Sequence, residues 1–210
     1  FSKSLFVASG YGIVDRSEGE WYKNVLGKGF GNARFNNTGV LGSRMVHSLH
    51  NHTDASDGRL DAKSIIAKAI DGGLEFVGIA DHYATDRVSS VKDLKDYLAG
   101  IKALKREYDE KIMVLAGVEI DSSPERSDIE FLDYATLNKL DYILFEYVQD
   151  ELWKGMPVWQ FINVRKRIAI PCGLAHNDLG RNFGEMRTDY LSEVFSSNGV
   201  FVELNCGRRY

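Results

Sequence analysis

The chain has 210 residues, a formal net charge of -4, and 44% hydrophobic against 27% charged residues, a length that suits one large domain or two small ones. The acid balance and a pI near 5.8 argue against a dedicated nucleic-acid binder, which would carry a basic stripe, though not against a nucleotide as substrate. Cys172 and Cys206 make no disulfide framework and point to a reducing, cytoplasmic setting; no secretory leader is evident and no apolar run is long enough to span a bilayer.

Residues 1–43 are rich in Gly, Asn and aromatics (Tyr11, Trp21, Tyr22, Phe30, Phe35) with little periodicity. They read as an irregular N-terminal extension packed on the rest, with a candidate short strand at Leu5–Ala8. Gly27-Lys28-Gly29-Phe30-Gly31 lacks the strand–helix setting of a phosphate cradle and reads as a loop. Residues 44–210 read as one domain. Short apolar runs there predict strands at Met45–Leu49, Phe76–Ala80, Ile112–Val118, Tyr142–Phe145, Ala169–Ala175 and Val200–Leu204. Most are nearly continuous hydrophobic runs, as in strands buried on both faces. Between them Ala62, Ile65, Ile66, Ala69 and Ile70 make a helical stripe after an Asp61 N-cap, stopped by Gly72-Gly73. Leu94, Leu98, Ile101, Leu104 and Tyr108 make another, and shorter patterns cover Ile129–Leu140, Val158–Ile168 and Asp189–Phe195. That rhythm is an α/β fold of βα units around a parallel sheet.

The strong polar motifs fall at the C-terminal ends of these strands, the end that carries the active site in βα barrels. His50 and His52 follow the first, two residues apart and so on one face of an extended chain, with Asp57 in a Gly-containing turn just beyond. Imidazole suits Zn, Mn or Fe, although two core or surface histidines would read the same. His47 has the opposite parity and is assigned to the helix-facing side. Asp81-His82 ends the second strand, with Asp81 either orienting His82 or capping the next turn. Glu119 ends the third; a carboxylate so placed needs a charge partner, supplied by metal ions or by Arg126 or Lys154. Glu146 ends the fourth, either inward-facing and paired or marking the strand end. His176 ends the fifth, followed by Asp178, a candidate ligand or turn cap, and by Arg181, placed to reach an anionic group. Glu203 with Asn205 ends the sixth. Arg87, Asp121, Arg126 and Glu203 are weaker candidates. No G-x-S-x-G elbow, C-x-x-C, P-loop or strand-linked G-x-G-x-x-G is present.

Together, His50-x-His52-Thr-x-x-Ser56-Asp57-Gly58, Asp81-His82, Gly117-x-Glu119 and Ala175-His176-x-Asp178 resemble the ordered motifs of the PHP (polymerase and histidinol phosphatase) family, over about residues 44–206. The resemblance implies a distorted (β/α)7 barrel, a cluster of two or three divalent ions at its C-terminal face, and hydrolysis of phosphoesters. It makes His50, His52, Asp57, His82, Glu119 and His176 metal ligands. Many members carry a histidine where this chain has Glu146-Tyr147-Val148, so Glu146 would have to substitute. The family's final Asp-x-His pair has no counterpart before Tyr210, so the expectation is a barrel shown without its last strand.

The function this implies is metal-dependent hydrolysis of a small phosphorylated substrate by a cluster of Zn, Mn or Fe ions. Metals would activate water and bind phosphate oxygens; Glu119 would bridge them, and Asp81 and Arg181 join it as catalytic candidates, with Arg87 an alternative phosphate clamp. Nucleic acid would enter only as a substrate end, and no membrane partner is expected. Two alternatives stay open: a non-catalytic PHP-like module, and an amidohydrolase-type metal hydrolase, which also begins with H-x-H but usually needs a metal-bridging lysine.

Overall fold

The computed structural model describes residues 4–8 and 47–205, with side chains from 48 to 203. The assignment of His47 to the helix-facing side therefore falls outside the described side chains, as do Cys206 and the loop reading of residues 27–31. Strands β1 (Ser4–Ala8), β2 (His47–Ser48), β3 (Phe76–His82), β4 (Met113–Asp121), β5 (Tyr142–Glu146), β6 (Cys172–Leu174) and β7 (Val200–Asn205) form one sheet, ordered β1-β7-β6-β5-β4-β3-β2. From β2 to β7 every pairing is parallel. β1 runs antiparallel to β7 and occupies the edge where the sequence expects an absent last strand.

The crossovers carry α1 (Ala62–Asp71), α2 (Leu94–Tyr108), α3 (Tyr134–Leu137), α4 (Val158–Arg165), α5 (Leu179–Phe183) and α6 (Thr188–Ser197). Asp61 and Asp93 cap α1 and α2 by accepting the N–H groups of Ser64, and of Lys95 and Asp96, which satisfies donors left over at a helix start. The single helical pattern predicted over 129–140 is split into a 3-10 turn at Ile129–Phe131 and α3. Asp133 breaks it, turning its carboxylate onto the N–H of Thr136 at 3.0 Å and its hydroxyl at 2.7 Å. β6 starts three residues later than predicted, because Pro171 has no N–H for the ladder and the strand begins at Cys172. Among the described residues no helix is long and apolar enough to cross a membrane.

Side chains alternate between two cores. Val77, Ile79, Val114, Ala116, Val118, Ile120, Ile143, Phe145 and Leu174 pack outward against the helices. Phe76, Ala80, Leu115, Tyr142, Leu144, Ala175 and Phe201 fill the inner face together with Leu49. The sheet is curled. The Tyr142 hydroxyl donates to the Leu49 carbonyl, bypassing the two strands between, and His50 beyond β2 reaches Glu203 on β7. Tyr142 crosses the interior over Gly78 and Gly117, where any Cβ would collide with its phenol. Below that ring the inner face is apolar. Beyond it, the same alternation presents His82, Glu119, Asp121, Glu146 and Glu203 at the C-terminal end.

Candidate metal centre

β2 is short, and His50 and His52 lie past its end. The chain stays extended there, with the Asn51 carbonyl accepting the Ala80 N–H at 2.9 Å and the Asn51 amide donating to the Gly78 carbonyl at 2.9 Å. Two-residue spacing on this extended run aims both imidazoles inward, and their Nε2 atoms approach to 2.8 Å. The chain then turns back on itself. The Gly58 N–H bonds the Thr53 carbonyl at 2.9 Å, and a Cβ at Gly58 would collide with the His52 carbonyl. That tight turn swings Asp57 over His52, Oδ1 to Nδ1 at 3.3 Å.

Glu119 is the hub. Its Oε1 lies 2.9 Å from His176 Nε2, and its Oε2 lies 3.1, 3.2 and 3.4 Å from His50 Nε2, His52 Nε2 and His82 Nδ1. Both oxygens are buried, yet neither makes a well-oriented hydrogen bond, and His82 Nδ1 is buried and unbonded too. Buried polar atoms without partners are rare in native proteins. Four imidazoles from three segments converging on one such carboxylate fit divalent cations, which use these lone pairs as ligands. Three trios have the spacing to hold an ion: His50–Glu119–His176, His52–Asp57–His82, and His82–Glu119–Glu146.

Burial alone would push the Glu119 carboxyl up, but the His50 charge and contacts from His176, His50 and His52 hold it well below the usual carboxylate range. Burial likewise opposes the charged form of His50, but Glu119 and Glu203 raise its pKa well above 6.5. Burial is the first cause of the fall of His82 to about 4, against the pull of Glu119. Glu146 goes up to about 7, through burial first and then Glu119, with Arg87 opposing.

The remaining sequence candidates divide. Asp81 does not enter the cluster: adjacent strand residues point to opposite faces, and with His82 inward Asp81 points out. There it accepts the Thr53 N–H at 2.6 Å, the Thr53 hydroxyl at 2.8 Å and the Ser56 hydroxyl at 2.6 Å. It shapes the loop carrying His52 and Asp57; it does not orient the His82 ring. Asp178 caps α5 by accepting the Arg181 N–H at 3.0 Å and is absent from all three trios. Arg181 commits its guanidinium to Asp150, so the placement expected of a phosphate clamp is not found. Arg87 lies by the cluster instead, its Nη2 2.7 Å from Glu146 Oε1.

Glu203, a weak candidate by sequence, braces two candidate ligands at once. Its Oε2 accepts His50 Nδ1–H at 2.8 Å and the His176 backbone N–H at 2.9 Å. His176 has a left-handed φ of 32°, costly for a residue with a Cβ, and the Glu203 contact helps hold it. The inward parity of Phe201 and Glu203 on β7 was the available signal. Carboxylates that fix a ligating imidazole commonly govern metal affinity, so Glu203→Gln should weaken zinc binding about 10- to 100-fold in competition with a chromophoric chelator. Unchanged affinity would show that packing alone orients His50.

The raised His50 pKa has a pH consequence. In the metal-free chain Glu119 and Glu203 hold the His50 proton to higher pH than on an ordinary histidine, and a bound ion must displace it. Zinc affinity should therefore climb with pH through neutrality and level off above the raised value. His82 is already neutral there and adds no such dependence. Calorimetry in buffers of different ionisation enthalpy should record net proton release. The linkage sign for folding is opposite: protonated His50 stabilises the metal-free fold fully below 6.5, and that contribution fades as pH rises through its folded value.

An α/β fold whose curled, mainly parallel sheet gathers histidines and carboxylates at its strand C-termini defines the class as a barrel-like α/β protein with a candidate metal centre. The PHP domain family matches residues 48–207, and the chain belongs to that family. Its structure is similar to that of a histidinol phosphate phosphatase from Lactococcus lactis subsp. lactis Il1403 solved with zinc, L-histidinol and phosphate, at 17% identity and a TM-score of 0.49, covering 72% of this chain and 70% of that one. A comparison with curated protein sequences gives no match.

Proposed function

We propose that the chain is a metal-dependent phosphoesterase acting on a small phosphorylated substrate at the Glu119 cluster. The observation that carries this reading is the buried Glu119 carboxylate, unbonded at both oxygens and ringed by His50, His52, His82 and His176. Membership of the PHP family supports it at the level of reaction class. Divalent ions bound there would polarise phosphate oxygens and lower the pKa of a coordinated water.

The chain's own groups set the rest. His50, His82 and His176 form the buried side of the site, the first and last braced by Glu203, and His52 and half-exposed Asp57 form its open side. Substrate therefore approaches past Asp57. Tyr147 and Trp153, stacked with centroids 5.0 Å apart, make an aromatic wall beside His176, whose ring lies 6.2 Å from that of Tyr147. Arg87 lies over Tyr147 at 5.2 Å and offers a fixed positive charge toward an incoming phosphate. Arg126 is tied to Asp121 by bonds of 2.7 and 3.0 Å and holds the loop after β4 in place.

The test is hydrolysis of 4-nitrophenyl phosphate by protein stripped with a chelator and then resupplied with zinc or manganese. Activity should vanish on stripping and return with metal. Activity indifferent to chelation, or absent at every metal loading, overturns the proposal.

A further inference from the structure

We propose that this cluster holds two divalent ions and that the Arg87 guanidinium takes the place of a third cation. The inference rests on the metal-binding reading above. The three trios are not independent, because His82 belongs to two of them. It presents Nε2 to Asp57 Oδ2 at 3.7 Å and Nδ1 to Glu119 Oε2 at 3.4 Å and Glu146 Oε1 at 3.6 Å. A neutral imidazole has one nitrogen lone pair to give; its other nitrogen carries a proton. His82 therefore serves the His52–Asp57 position or the Glu119–Glu146 position, one at a time.

Arg87 decides between them. Its Nη2 sits 2.7 Å from Glu146 Oε1, and its Nε faces Asp121 Oδ2 at 3.5 Å. A guanidinium keeps its charge at any working pH, so the Glu146 corner already holds a cation. A divalent ion placed among His82, Glu119 and Glu146 would meet that charge at close range and compete for the same carboxylate oxygen. His82 Nδ1 faces the Glu119 and Glu146 carboxylates at 3.4 and 3.6 Å, so a proton on that nitrogen would be drawn toward them, the orientation in which a ligating imidazole turns its far N–H to a carboxylate. Nε2 is then the lone pair offered beside His52 and Asp57.

One ion falls to His50, Glu119 and His176 and the other to His52, Asp57 and His82, with Glu119 between them. Glu146, a ligand candidate by sequence, becomes the counter-ion of Arg87.

Metal content measured by plasma mass spectrometry after zinc reconstitution and desalting tests this. The wild type should hold two zinc ions per chain, Arg87→Met three, and Arg87→Lys two, because the ammonium keeps the charge. Glu146→Gln provides a check should Arg87→Met fail to fold, as judged by circular dichroism: it should retain two ions, and loss of one would make Glu146 a ligand and overturn the assignment. Three ions in the wild type, or two in folded Arg87→Met, overturn the inference while leaving a metal centre in place. No ions in the wild type overturns the metal reading and this inference with it.

Discussion

The double substitution His50→Ala/His52→Ala should abolish metal loading and reduce phosphoester hydrolysis by about a thousandfold or more. Metal ions contribute several kcal/mol of transition-state stabilisation, and about 1.4 kcal/mol corresponds to a tenfold rate change. His50 and His52 sit on one short extended run, and between them they touch Glu119, Glu203 and Asp57. Each belongs to a different candidate ion position, so losing both leaves neither position with more than two protein donors. A control separates lost chemistry from lost fold. The His50 imidazole is buried against two carboxylates, whereas the His52 side chain is 21% exposed, so His52→Ala alone should fold and lose the ion nearer Asp57. Wild-type rates in the folded double variant would contradict the assignment.

Asp81→Ala should act on stability and leave the ligand set intact. Asp81 is fully buried and accepts three bonds from Thr53 and Ser56. Stranding those donors costs about 1–3 kcal/mol for each that finds no new partner, about 4 kcal/mol together after partial relaxation. For a chain of this size each kcal/mol lowers the melting temperature by about 2–4 °C, so a fall of about 8–16 °C is expected by thermal denaturation. Zinc should restore part of that loss, because binding to the folded state alone is stabilising. An unchanged melting temperature with activity lost would instead give Asp81 a direct part in the chemistry.

The inner half of the site was legible because its signals are local. His50-x-His52, Asp57-Gly58 and the polar residues terminating apolar runs each stand within a few positions of one another. What the sequence misplaced has physical causes. A polar residue after an apolar run looks like a strand end, but the ladder here continues through Asp81-His82, through Glu119 to Asp121, and through Glu146, because backbone pairing is indifferent to side-chain polarity. Adjacency in sequence offers Asp81 either as a partner of His82 or as a turn cap, yet strand alternation sends the two side chains to opposite faces. α5 is only five residues long, too short to show a period. The braces were hardest to see: Glu203 meets His50 across 153 positions and Arg87 meets Glu146 across 59. No local pattern encodes such pairs, although strand parity pointed Glu203 inward.

The most direct test of the metal centre is anomalous diffraction at the zinc edge from crystals equilibrated with zinc. The expected result is two peaks, one among His50, Glu119 and His176 and one among His52, Asp57 and His82. Ordered crystals with no peak beside Glu119 would contradict the metal centre on which the proposed hydrolysis depends.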